Sequence, residues 1–433
     1  MVFIPINAAS AGFSVILPLL ILITLRGNIL EVALAQTLYN SALIPAAMVW
    51  GFVADRFRTR APLLVLNYAA FGVVFLLLGS YPSFGALLVI YTVYGFVAPS
   101  SAAASNLLIL ERFPAGSRAS AFASFSELSV VGNILGLLAG FFWLLGHGSG
   151  GTVVSFLYVT AALAFLSAVG VAVFIRDPVH RLSRETIVRI PESLAVRLRQ
   201  NIPFFLFRRP RVSWVRRSAQ WLRREATHEV PLILLAGFLF STATNLFNTS
   251  YIPYLQEARL AAASIFLVNL ANNVGQAIVL PLTAGACQGN RMERVVVRAT
   301  WTRTAGYVAV AGLAVFPILI TRLARGDVLG TNLVAYGVLG VGAAFYGTAS
   351  SLLLFRSLGR RNPGSLLGAN SALGGLAAVL GAAASGVLSF RFGYGMTFGT
   401  SSTVMAVSVP VWYLAIRSFR ERANGEAGHS APS

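Results

Sequence analysis

The sequence contains no lysine, and Cys287 is its only cysteine. One cysteine cannot form an internal disulfide framework and cannot build a cysteine-rich metal site. Without lysine there is no Gly-x-x-x-x-Gly-Lys loop to hold nucleotide phosphates, so nothing supports an ATP-driven activity. The four histidines are scattered and no Ser/His/Asp grouping can be argued, so we expect no metal, no cofactor and no enzymatic reaction.

Charge is also scarce, because only 11% of the 433 residues are charged and 56% are hydrophobic. A soluble domain carries about a quarter charged residues, so a single soluble core is excluded. The composition instead indicates a multi-pass membrane protein, in which each crossing needs roughly 20 apolar residues. The net charge of +19 could suggest a nucleic-acid partner, but the positions of the arginines given below argue against one.

Twelve continuous apolar runs reach membrane length, which predicts twelve transmembrane helices in an all-α integral membrane protein. In lipid every backbone polar group needs an internal partner, and continuous rather than alternating hydrophobicity excludes a β-barrel. The first run has no basic flank before it, so we interpret it as a retained helix rather than a signal peptide. The runs lie near residues 6–25, 31–53, 61–79, 84–110, 119–145, 152–175, 230–254, 261–286, 299–320, 328–354, 364–390 and 395–416.

Arginine positions predict the orientation, because basic residues concentrate in cytoplasmic loops. With both termini in the cytoplasm, the inner loops and tail hold 28 arginines and the outer loops hold 5. Arg303 is counted here with the inner loop before the ninth helix. We therefore expect a protein of the cell (plasma) membrane with both termini in the cytoplasm. We also expect it to be a monomer.

The one long polar interval divides the runs into two groups of six. We predict a six-helix bundle over 1–176, a cytoplasmic basic linker over 177–229, a second six-helix bundle over 230–422 and a disordered tail over 423–433. Within the linker, one helical face carries Trp214, Val215, Ser218, Trp221 and Leu222. This pattern is typical of a basic amphipathic helix on anionic inner-leaflet lipids, and a partly ordered linker is the alternative. We expect no nucleic-acid partner.

The stretch from Gly51 to Arg60 forms a basic turn between two apolar runs and has the order Gly-x-x-x-Asp-Arg-x-x-x-Arg. This order resembles the signature loop between helices 2 and 3 of the major facilitator superfamily. A second copy occurs 234 residues later, from Gly285 to Arg294, with Gly289 in place of Asp55. An internal repeat of this size is typical of transporters that are built from two half-bundles with the solute site between them.

The resemblance implies roles for several charged residues. In that family the loop charges lock the outward-facing state together with charges at the inner end of helix 4. Carried over, Asp55, Arg56 and Arg60 would form this gate with Glu111 or Arg112, and Gly51 would allow the turn. The alternative is that these residues only determine topology.

Two positions depart from the drug–proton antiporters of the family. Tyr91 stands where those proteins carry an arginine four residues before a glycine, here Gly95. Leu137 stands where they carry proline in helix 5, although Gly132, Gly136 and Gly140 recur every four residues. Their spacing still permits close helix packing.

Glu127 is the one acidic residue well inside a predicted span. It lies about eight residues past the inner end of the fifth run, roughly 12 Å into the membrane. An acid at this depth is a functional hypothesis by default, and desolvation would suit it to reversible proton carriage. The alternative is a structural acid that bonds a nearby hydroxyl or arginine.

Amide and phenol side chains inside the runs are the candidates for a solute cavity. They could bind a polar solute without a fixed charge, or they could form hydrogen bonds between helices. The set is Gln36, Asn40, Asn106, Asn133, Asn245, Asn248, Tyr251, Asn269, Asn272, Asn273, Gln276, Tyr346 and Asn370.

Together these features predict a secondary transporter that moves a small organic solute by alternating access. Proton-coupled efflux through Glu127 is the first expectation. Uptake of a neutral or weakly charged solute is the alternative in the same class. A membrane receptor or scaffold that transports nothing is the alternative in another class.

Overall fold

The structure is a computed structural model, and it describes residues 2–56, 60–101, 104–105, 108, 118–145, 150–175, 229–287, 291–316, 328–357 and 363–429. Within these ranges every regular element is helical. The eleven helices are α1 Phe3–Leu19, α2 Ile29–Arg56, α3 Ala61–Ser80, α4 Phe84–Val97, α5 Arg118–Leu145, α6 Gly150–Phe174, α7 Glu229–Glu257, α8 Ala262–Ala286, α9 Arg291–Val315, α10 Val328–Ser357 and α11 Pro363–His429. A π-helical turn, Leu20–Thr24, extends α1.

The last helix, α11, is 67 residues long, far more than one membrane crossing requires. It has a kink at Gly393, whose φ of 81° is open to glycine and costly for other residues. The kink falls between the two last apolar runs of the sequence. Nine stretches of the described chain are long and apolar enough to span a membrane, and one of them is the 51-residue Asn370–Arg420. The count of twelve crossings stays a prediction.

The apolar runs locate most of the helices to within a few residues, but the ninth helix is an exception. It begins at Arg291, whereas the apolar run begins at 299. Arg303 is therefore the thirteenth residue of α9 and is buried, so its assignment to an inner loop is wrong. At the other end of the chain, α11 continues to His429, which differs from the predicted start of the tail at 423.

The internal repeat has a direct counterpart in helix packing. A Cβ added at Gly381 of α11 would lie 2.7 Å from the carbonyl oxygen of Thr242 in α7. Gly136 of α5 packs even more closely against the carbonyl group of Ala8 in α1. Thr242 follows Ala8 by the 234 residues that separate the two signature loops.

A second pair of close approaches repeats in the same way. Gly95 of α4 packs against the carbonyl oxygen of Tyr39 in α2, where an added Cβ would lie 2.7 Å away. Gly340 of α10 packs against the carbonyl oxygen of Asn272 in α8. In each half, glycine therefore lets two helix backbones approach closely, as small residues do in membrane bundles.

The two halves meet along α2 with α11 and along α5 with α8. Phe266 of α8 packs against Gly140 of α5 and meets the ring of Phe156 edge-on at 5.7 Å. Between α2 and α11, the side-chain amide of Asn40 donates to the carbonyl oxygen of Ala378 at 3.4 Å. These contacts enclose the space between the halves from two sides.

Candidate functional site

A cavity of about 320 Å³ lies between the first four helices and α7, and therefore between the two halves of the chain. Its lining has three kinds of side chain. The aromatic residues are Phe13, Tyr39, Phe71, Tyr91 and Tyr94; the polar ones are Ser10, Ser14, Gln36, Asn245, Asn248 and Thr249; and the aliphatic ones are Leu17, Pro18, Val32 and Ile252.

The wall on the first half is a group of stacked rings. Tyr39 of α2 and Tyr91 of α4 stack with their centroids 4.4 Å apart and their planes 9° from parallel. Tyr94, one turn along α4, stacks on Phe71 of α3 at 4.7 Å. Phe13 of α1 meets Tyr91 edge-on at 5.6 Å. These are the offset and edge geometries that aromatic rings prefer, so the rings stabilise one another in this arrangement.

The close approach of α4 to α2 explains why these rings stack. Because Gly95 has no side chain, α4 can touch the backbone of α2 at Tyr39. The hydroxyl group of Tyr91 then donates to the amide oxygen of Gln36 at 3.4 Å, and Gln36 itself lines the cavity.

The wall on the second half is made by one face of α7. Asn245, Asn248 and Thr249 are three and four residues apart, so they lie on the same side of the helix. Asn245 donates its amino group to the carbonyl oxygen of Ser241 at 2.8 Å, which fixes the side chain and leaves its amide oxygen as an acceptor. Asn248 is exposed, so both its donors and its acceptor are available to a solute.

None of the fifteen lining residues is an acid, an arginine or a histidine. The cavity therefore offers stacking surfaces and hydrogen bonds but no fixed charge in its own wall. Within the described part of the chain, no group of three acidic, histidine or cysteine residues is placed to hold a metal ion.

Most of the other amides predicted for the cavity form hydrogen bonds within or between helices. On α8, Asn269 and Asn273 each donate to a backbone carbonyl four residues earlier. Asn272 donates to the carbonyl oxygen of Tyr336 on α10 at 3.0 Å and accepts from Gln276 at 2.8 Å. The bond from Asn272 to Tyr336 matches the alternative that the sequence left open, which is hydrogen bonding between helices, whereas the other three bonds lie within α8.

The remaining candidates are spread over the molecule. Tyr251 is buried and donates to the amide oxygen of Asn332 at 3.1 Å, while Asn133 is half-buried on α5. Tyr346 and Asn370 line a separate pocket of about 150 Å³ within the second half. Asn106 lies outside the described residues.

The signature loop is described in part. Gly51, Asp55 and Arg56 belong to the last turns of α2, so the prediction of a turn is wrong for these three residues, which are helical. Arg60 is buried at the start of α3. Its role in a gate, or in topology alone, stays a prediction, and the proposed partners Glu111 and Arg112 lie outside the described residues.

Glu127 is the tenth residue of α5, and its side chain is exposed. It does not belong to the lining of the central cavity. Its role in proton coupling stays a prediction.

Arg303 is the charged residue that sequence reasoning missed. Its guanidinium group is buried and lies 5.1 Å from the ring centroid of Phe240 and 5.4 Å from that of Tyr307. A terminal nitrogen donates to the Tyr307 hydroxyl group at 2.5 Å, and that hydroxyl donates to Thr244 at 3.4 Å. The signal was available, because position 303 already falls inside the apolar run 299–320.

A second charged contact holds the ends of two helices in the second half. Arg420 of α11 bonds the carboxylate of Glu293, at the start of α9, with distances of 2.7 Å and 2.6 Å. Glu293 is only 3% exposed, whereas Arg420 is 60% exposed. The pair joins the second signature-like loop to the last helix.

Comparison with known proteins agrees with this architecture. The family model described as Major Facilitator Superfamily matches residues 2–325. No curated protein sequence matches the chain. Among solved structures, a POT family transporter in complex with a thioalcohol-conjugated peptide is similar with a TM-score of 0.68 and 11% identity, over 97% of this chain and 95% of that one.

Two further structures have comparable similarity. A single-substitution mutant of the nucleoside transporter NupG aligns with a TM-score of 0.66 and 12% identity over 97% of both chains. An auto-inhibited POT family peptide transporter aligns with a TM-score of 0.63 and 13% identity over 96% of both chains. At these identities the likeness is one of fold.

Proposed function

Because the chain belongs to the major facilitator superfamily, we propose that it is a secondary transporter of a small, uncharged organic solute. The solute would bind in the cavity between the halves and cross by alternating access, without chemical change. The residues that contact it would be Tyr39, Tyr91, Asn245 and Asn248, with Gln36 beside them.

The observation that carries the proposal is the contrast between the two walls. Stacked rings form one wall and amide groups form the other. Such a cavity suits a solute with a flat unsaturated ring and polar edges, because the ring can stack while the edges exchange hydrogen bonds. A purely aliphatic solute would leave the amide groups without partners, at a cost in binding free energy.

The lack of charge in the wall favours neutral solutes over dianions and over cations. A dianion would need a basic group in contact, and a cationic amphiphile would find ring faces in the wall but no carboxylate. We therefore favour a neutral-solute permease over efflux of cationic drugs, although both work by alternating access. The size of the cavity is consistent with a solute of modest size.

A thermal-shift screen tests the solute class. Purified protein would be heated with neutral nucleosides and bases, sugars, amino acids, dipeptides and cationic drugs. A ligand at 100 times its Kd stabilises a protein by about 2.7 kcal/mol. We expect stabilisation by neutral ring compounds that have polar edges and none by cationic drugs.

Two variants make the screen specific for the cavity. Tyr39→Leu removes a stacked ring, while Tyr39→Phe keeps the ring and removes only the hydroxyl group. The shift should be lost in Tyr39→Leu and kept in Tyr39→Phe. Stabilisation by sugars or cationic drugs alone, with no effect of either variant, would overturn the proposal.

A further inference from the structure

Arg303 brings a buried positive charge close to a cavity whose own wall is neutral. It is 7% exposed, and it is held by the rings of Phe240 and Tyr307 together with one hydrogen bond to the Tyr307 hydroxyl group. Its Nε has no hydrogen-bond partner among the described residues. Contact with ring faces partly offsets the loss of water around a cation and does not cancel its charge.

The structure describes the side chains of four acidic residues, and none of them is a counter-charge for Arg303. Glu293 is bound by Arg420, and Glu127 is exposed on α5. Glu31 belongs to the first turn of α2, and Glu257 is the last residue of α7. None of these four carboxylates forms an ion pair with Arg303. A buried arginine inside a membrane protein is a functional hypothesis by default.

The route from Arg303 to the cavity is short. The bonds from Arg303 to Tyr307 and from Tyr307 to Thr244 measure 2.5 Å and 3.4 Å, so the guanidinium group is within about 6 Å of the Thr244 hydroxyl. Asn245, the next residue of α7, lines the cavity. Consecutive residues of a helix face different sides, so part of α7 lies between Thr244 and the cavity. The separation between the charge and a bound solute is therefore about one helix width, on the order of 10 Å.

We propose that Arg303 is a specificity-determining residue, whose charge makes the potential of the cavity positive and so excludes cationic solutes. The inference rests on the proposed function, because it assumes that the solute binds in this cavity. At about 10 Å and an effective dielectric constant of about 20, one unit charge changes the affinity for another by on the order of tenfold. The positive charge of Arg303 should lower the affinity for cations and raise the affinity for anions.

Three matched solutes test the proposal in proteoliposomes. They are a neutral nucleoside, its 5′-amino analogue, which is a cation, and its 5′-carboxylate analogue, which is an anion. Uptake of the labelled neutral compound is measured while each analogue competes. In the wild type we expect the cation to compete about tenfold more weakly than the neutral compound.

Two variants separate the charge from its packing. Arg303→Met removes the charge and keeps a long side chain, and replacement of buried charges by apolar groups of similar volume is often neutral or stabilising. Tyr307→Phe removes the hydrogen bond and keeps the charge and the ring. The ratio of cation to neutral affinity should approach one in Arg303→Met and should stay near the wild-type value in Tyr307→Phe.

The outcomes distinguish this proposal from the proposed function. If the wild type takes up no neutral ring solute, the proposed function fails. If the wild type takes up that solute and Arg303→Met weakens the binding of all three compounds by the same factor, Arg303 has a structural role and the inference fails. Should Arg303→Met not fold, equal competition by cation and neutral compound in the wild type would still overturn it.

Discussion

Gly381 of α11 lies so close to Thr242 of α7 that an added Cβ would come within 2.7 Å of the Thr242 carbonyl oxygen. The same kind of contact occurs in the first half between Gly136 and Ala8. Helix α1 of the first half and helix α7 of the second half both line the central cavity. Each of them is packed by backbone contact against another helix of its own half. Such a contact fixes the position of the cavity wall more firmly than flexible side chains would.

Substitution of Gly381 by alanine should destabilise the protein, because a carbonyl oxygen cannot move aside as a side chain can. We expect a loss of about 1–3 kcal/mol, typical of overpacking. Gly347→Ala is the matched control, since nothing lies within 4 Å of a Cβ at that helical position. There alanine should be neutral or stabilise by up to about 1 kcal/mol. Equal unfolding midpoints for the two variants in detergent would contradict the packing argument.

The ion pair of Glu293 and Arg420 predicts unequal effects of single substitutions. Arg420→Gln leaves a buried carboxylate without its cation, so it should cost about 1–3 kcal/mol although Arg420 itself is largely exposed. Glu293→Gln leaves arginine free in solvent and should cost less. The double variant should recover part of the loss, as measured in a double-mutant cycle of thermal unfolding. Strictly additive losses would show that the pair does not interact.

Glu127→Gln tests proton coupling. If Glu127 carries the proton, the variant should lose accumulation of solute driven by an imposed pH gradient but keep exchange between equal concentrations on both sides. The measurement is uptake into proteoliposomes with and without the gradient. Unchanged gradient-driven uptake in Glu127→Gln would assign this exposed acid a structural role.

Cys287 gives a test with a native probe. Burial raises the pKa of its thiol, and the residue follows the last turn of α8. Because the thiolate is the reactive form, maleimide labelling of folded protein should be slow at neutral pH and should become faster as the pH rises. Protein unfolded in detergent should label quickly at neutral pH. Equal rates for the folded and unfolded protein would contradict the burial of Cys287.

The helices were predictable because hydrocarbon imposes both a length and a regular backbone on each crossing. Even the kink at Gly393 falls between two apolar runs. The glycine spacing in α5 was also informative: Gly132 packs against Ile4, Gly136 against Ala8 and Gly140 against Phe266, which confirms the predicted close packing.

The candidate site was less predictable, because sequence alone does not say which way a polar residue faces. Gln36, Asn245 and Asn248 face the cavity, whereas the four amides of α8 bond to their own helix or to α10. Arg303 was missed because it was counted with the inner loop, although position 303 falls inside the apolar run 299–320. Its charge is held by rings of α7 and α9, and that contact exists only once the helices have packed.

The most direct test of transport through the cavity is uptake of a labelled neutral nucleoside into proteoliposomes that hold wild type, Tyr39→Leu, Tyr39→Phe or Asn248→Leu. We expect saturable uptake by wild type and by Tyr39→Phe. Tyr39→Leu should lose affinity about tenfold or more, because stacking of a side-chain ring on a base contributes about 1–3 kcal/mol. Asn248→Leu should also weaken binding, because a solute polar edge loses its partner. No saturable uptake by any of the four, or equal uptake by all four, would contradict the account.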